Sequence, residues 1–68
     1  MTRQETRKTA LVEISRLVDS IETFARLGHD ETAAATAQSL FDRLRSIGYT
    51  VETSLTTIHQ YLPGWTSR

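Results

Sequence analysis

Residues 10–31, ALVEISRLVDSIETFARLGHDE, decide the fold. Ala10, Ile14, Leu17, Ile21 and Phe24 recur at a 4-3-4-3 spacing, which lines one side of an α-helix with a seam of the coiled-coil kind. Leu11, Val18 and Ala25 widen that seam on one flank. Gly28 then supplies a residue that adopts a left-handed backbone without a Cβ penalty, the usual end of a helix. His29 is placed to fold back on Phe24. Asp30 is read as the N-cap of a second helix, with Glu31 adding favourable charge to its first turn.

Beyond this stretch the pattern repeats. Ala33, Ala37, Leu40, Leu44 and Ile47 restore the 4-3-4-3 spacing, flanked by Ala34 and Phe41, and Gly48 repeats the stop with Tyr49 placed against Leu44. Helices are expected at about 4–27 and 30–47, joined so tightly that they lie antiparallel. Small residues cluster at the start of the second helix, at Ala33, Ala34, Ala35 and Ala37. They leave room for Ile21 and Phe24 opposite. Residues 1–9 overhang this hairpin as a polar arm carrying Arg3, Glu5, Arg7 and Lys8.

After Gly48 the composition shifts. Tyr49 to Thr53 is rich in β-branched residues and reads as a turn or a short extended piece. Ser54 is the expected cap of a third helix at about 54–61, in which Leu55, Ile58 and Leu62 share a face. Pro63-Gly64 ends it. Residues 10–62 then form one helical domain, and 63–68 a tail whose Trp65 docks on this chain's own core.

Size argues for assembly. The chain has 68 residues, of which 38% are hydrophobic, and no cysteine. A core this small seldom offsets the chain entropy lost on folding without disulfides, metal or oligomerisation. Val12 and Leu27 lie off the seam, and the apolar stripe is wider than one partner helix covers. The expected fold class is therefore all-α: an antiparallel helical hairpin with a short third helix, assembled as a homodimeric helical bundle.

The chemical inventory points away from catalysis. His29 and His59 form neither an i, i+4 pair nor an HExxH spacing. No nucleophile elbow accompanies the serines, and no glycine-rich phosphate loop is present. No catalytic residue, metal site or cofactor is expected. Eight bases balance eight acids, which removes the basic footprint typical of nucleic-acid binders. No run reaches the ~20 apolar residues of a membrane span, and the polar N-terminus does not read as a secretory signal. The expected setting is cytoplasmic, with no membrane partner.

Two functional readings follow. In the first the chain is a small regulatory or inhibitory protein, of a size common among phage- and plasmid-encoded regulators. It acts through protein–protein contacts, with Phe41, Tyr49, Tyr61 and Trp65 as candidate partner-binding residues. In the second, residues 38–62 form a helix-turn-helix that binds DNA. Thr56-Thr57-Ile58-His59-Gln60-Tyr61-Leu62-Pro63 resembles the recognition helix of resolvase-type serine recombinases. The segment from Gly48-Tyr49 is similar to the turn of arginine-repressor DNA-binding domains. These resemblances imply that Ser54, Thr56, Thr57, Gln60 and Tyr61 face bases or phosphates. Arg43, Arg45 and Arg68 would then hold the nucleic-acid backbone.

A further likeness lies at the N-terminus. Met1-Thr2-Arg3-Gln4-Glu5, Thr9-Ala10-Leu11 and Ser39-Leu40 with Asp42 resemble the plasmid copy-number hairpins of the Rop type. That family forms RNA-binding dimers of hairpins. The resemblance implies a four-helix architecture, with Arg3 at a basic position of the RNA-reading helix. Val12, Arg16, Ser20 and Leu27 depart from that helix's other positions.

Overall fold

The computed structural model describes the backbone of residues 3–67 and the side chains of residues 8–67; the charged side chains expected on the polar arm at Arg3, Glu5 and Arg7, and the expected nucleic-acid backbone contact of Arg68, lie outside the described residues. Three helices follow one another, α1 (Arg3–Arg26), α2 (Asp30–Ser46) and α3 (Val51–His59), with no strand among the described residues. α1 sets the long dimension of the molecule. Its 24 residues span about 36 Å, close to the 39 Å longest extent.

Both interior glycines end their helices with the same backbone device. Gly28 has φ +80°; its amide donates to the Ala25 carbonyl at 3.2 Å, and the next amide, His29, reaches back to Phe24 at 2.9 Å. Gly48 has φ +104°, with its amide on Arg45 at 3.1 Å and the Tyr49 amide on Leu44 at 3.0 Å. These paired bonds are the Schellman arrangement, which satisfies carbonyls left open at a helix end. The expected fold-back of His29 is present, its ring edge-on to Phe24 with centroids 6.4 Å apart.

α2 is the central element, with α1 packed on one side and α3 on the other. The core gathers Ile21 from α1, Ala37, Leu40 and Leu44 from α2, and Ile58 from α3. Ala10 and Ala33 are buried as well. Ala10, Ile14, Leu17 and Ile21 of the first seam and Ala33, Ala37, Leu40 and Leu44 of the second therefore face inward, as their spacing predicts. Small alanines on α2 let the helices approach, while Ile21 fills the space beside Ala37. Ile14, Leu17, Val18, Tyr61, Leu62 and Trp65 pack around the cluster, while among the described residues α3 contacts α2 and not α1, and Leu11, Val12 and Leu27 on the α1 side stay exposed.

Four expectations need correction. Ser54 is not the cap of the third helix. Thr50 is: its hydroxyl accepts from the Thr53 amide at 3.1 Å, and the helix starts at Val51. The β-branched run from Thr50 to Thr53 thus forms a helix start, because a local cap outweighs strand propensity. Ser54 is fully buried, its hydroxyl donating to the Thr50 carbonyl at 2.8 Å. Asp30 is the first residue of α2 rather than its cap; His29 holds the cap position and makes no side-chain cap bond. Ile47, expected in the α2 seam, is 40% exposed, since the helix has ended at Ser46 and the chain is turning toward Gly48.

Candidate interaction surfaces

The aromatic candidates divide between two places. The indole of Trp65 donates to the Ala34 carbonyl on α2 at 3.2 Å. Its ring lies 5.9 Å from that of Phe41, tilted by 50°. Nε2–H of His59 donates to the Trp65 carbonyl at 2.7 Å, which ties the tail to the end of α3. Phe41, Tyr61 and Trp65 thus hold α3 and the tail on α2, and each is half-buried. Tyr49 stands apart, in the turn between α2 and α3.

That turn carries exposed apolar residues. Ile47 is 40%, Tyr49 38% and Val51 46% exposed, three large apolar side chains within five consecutive positions. The carbonyl of Tyr49 accepts from the guanidinium of Arg45 at 2.6 Å, so the corner is braced. Sequence reading proposed Tyr49 and missed the other two. The available signal was Gly48 itself: a helix stop there puts Ile47 past the last packed turn, and Thr50 as cap turns Val51 outward.

The nucleic-acid candidates are dispersed. Arg43 Nε lies 3.0 Å from Glu13 Oε2 across the α1–α2 interface, an ion pair whose N–H is not aligned for a hydrogen bond. Arg45 is engaged with Tyr49 as described. Ser54 is buried and cannot reach a base edge. Thr56 and Thr57 donate to the Glu52 and Thr53 carbonyls, both at 3.0 Å, and Thr57 is half-buried. Thr56, His59 and Gln60 remain on the exposed side of α3, together with Glu52. The exposed side of this helix therefore carries a carboxylate and no lysine or arginine.

No group of three metal-ligating side chains occurs among the described residues. No helix in the described residues is long and apolar enough to cross a membrane. One shallow, open concavity of about 300 Å³ lies on the outer side of α1, lined by Lys8, Thr9, Val12, Glu13 and Arg16.

No protein-family model, curated protein or solved structure matches this chain. The three resemblances noted in the sequence rest on the quoted residues alone.

Proposed function

We propose that this chain is a small, non-enzymatic cytoplasmic protein of regulatory or inhibitory type, working through protein–protein contacts of a self-associating helical bundle. The corner Ile47–Gly48–Tyr49–Thr50–Val51 carries this reading. Its three large apolar side chains stay exposed although the core closes without them. Grouped exposed apolar residues on a small domain mark interaction surfaces more often than scattered single ones do. The balance of eight acids and eight bases supports the same reading, since nucleic-acid affinity draws largely on phosphate neutralisation.

The test compares the wild-type chain with the double variant Ile47→Ser/Val51→Ser as baits in extract from the source cell. A protein held by the first and released by the second is expected. A duplex-DNA titration at about 50 and 200 mM salt runs beside it, because phosphate contacts weaken steeply over that range.

One observation favours the helix-turn-helix alternative. With α3 starting at Val51, only residues 47–50 separate it from α2, a length that suits the motif. Sequence-selective, salt-sensitive DNA binding that is lost on replacing Thr56 and Gln60 would overturn the protein-contact reading and install that one.

A further inference from the structure

The two interior turns differ in what they do to helical register. The α1 seam, continued at its own spacing past Phe24, falls on Gly28, Glu31, Ala35, Gln38 and Asp42. A helix running straight through the first turn would carry polar residues where the core lies, so the chain has to fold back there. The second turn imposes no such break. From Ala33, Ala37, Leu40 and Leu44 the seam continues to Ile47, Val51, Ser54 and Ile58, and its 4-3-4-3-4-3-4 spacing is unbroken. One heptad-like seam crosses Gly48 in register. Leu40 and Leu44 before the turn, and Ser54 and Ile58 after it, are at most 1% exposed. Ile47 at 40% and Val51 at 46% are the two seam positions that flank Gly48. The exposed corner is thus a gap in a seam.

Local groups hold the turn: the left-handed backbone of Gly48, the Thr50 cap and the Arg45 brace on the Tyr49 carbonyl. Pro63 is the one proline of the chain, so every residue from 30 to 62 has the backbone N–H that a helix interior needs. Ser54 already bonds as it would in an unbroken helix, its amide and its hydroxyl reaching the Thr50 carbonyl at 3.0 and 2.8 Å. Among the helices α3 packs on α2 alone, so its release leaves the α1–α2 contacts in place. The segment after the turn runs back along α2, since the Trp65 indole reaches Ala34 near the start of that helix.

We propose that Gly48 is a hinge, and that α2 and α3 straighten into one helix in a homodimer whose two copies exchange their third helices. Each α3 packs on the other copy's α2 as it does here on its own. The straightened helices lie antiparallel, and Ile47 of one copy sits beside Val51 of the other across the two-fold axis, which closes the gap in the seam. Exchange of an identical element is a low-cost route to a dimer, because the closed contacts are used again. The inference rests on the protein-contact reading of the corner and names its partner as a second copy of this chain.

Sedimentation velocity of hinge variants tests it, with circular dichroism as the folding control. The wild-type chain is expected to show a dimer that grows with concentration. Alanine is strained in the left-handed closed turn and favoured over glycine inside a helix, so Gly48→Ala should tighten dimerisation at least about a hundredfold. Gly28→Ala carries the same strain, but straightening there would put Glu31, Gln38 and Asp42 on the seam, and it should associate like wild type. In dilute solution, where both are monomeric, the two alanine variants lose stability alike. Three glycines inserted between Gly48 and Tyr49 break the long helix and leave the closed turn free to form; that variant should stay monomeric. Val51→Ser should weaken dimerisation at least about tenfold. A Gly48→Ala chain no more dimeric than Gly28→Ala, or an insertion variant that dimerises like wild type, overturns the exchange. If Ile47→Ser/Val51→Ser still releases an extract protein in that case, the protein-contact reading stands without it. If Gly48→Ala dimerises as expected and no extract protein is held, the exchange stands and the second copy is the corner's partner.

Discussion

The turns after Gly28 and Gly48 are stopped alike and restarted differently. Each glycine takes a left-handed backbone and each is followed by the same pair of reaching-back amides. After Gly28 the chain enters α2 with no side-chain cap, and only Asp30 and Glu31 in the first turn answer the exposed amides. After Gly48 it passes through Tyr49 to Thr50, whose hydroxyl caps α3 and also donates, at 2.9 Å, to the Thr53 hydroxyl. A helix stop depends on one backbone conformation. A restart depends on which nearby side chain captures the free amides, and several can compete.

Six substitutions probe that contrast. The largest effect is expected at Ile58, which the second turn delivers to the core with no exposed surface. Ile58→Ala should cost about 2–5 kcal/mol in denaturant-induced unfolding, with the emission of Trp65 shifting to that of a solvated indole. Next come the glycines. A Cβ at either Gly28 or Gly48 meets nothing within 4 Å, so Gly28→Ala and Gly48→Ala should each cost about 1–2 kcal/mol from left-handed backbone strain alone. Clearly unequal losses would end the claim that the two stops are equivalent.

Smaller still, Thr50→Ala should remove about 1 kcal/mol. Ser54→Ala should cost less, because the Ser54 amide still reaches the Thr50 carbonyl at 3.0 Å. A larger loss at Ser54 than at Thr50 would reverse the assignment of the cap. The least effect belongs to the first restart. Asp30→Asn should lower the melting stability by roughly 0.3–1 kcal/mol at low salt, fading as salt is added. Persistence at high salt would point to a specific contact instead of a helix-dipole term.

Much of the fold was legible because it rests on spacing and glycine. Ala10, Ile14, Leu17 and Ile21 on one helix, and Ala33, Ala37, Leu40 and Leu44 on the other, pack inward as read. Trp65 docks on its own chain, as its position near the tail suggested. What escaped was governed by competition between neighbours. Ser54 and Thr50 are both acceptable caps, and burial of Ser54 beside α2 decides between them. Ile47 fits the seam by number, yet the turn rotates it out. The candidate surfaces were less legible for the same reason. Whether Val51 or Leu11 is covered depends on where α3 and α2 end, and residue spacing does not fix those ends to within one position.

The helix order also sets how the chain reaches this structure. α2 is in contact with both of its sequence neighbours, and the turns that join them are short, so few contacts require distant parts of the chain to meet. Such low contact order places helical domains among the fastest folders, in the microsecond-to-millisecond range. The α1–α2 hairpin forms the natural nucleus, because α3 has only α2 to grow upon. Substitutions in the Leu40 and Ile21 layer should then slow folding, while loosening Ile58 or Trp65 should mainly hasten unfolding.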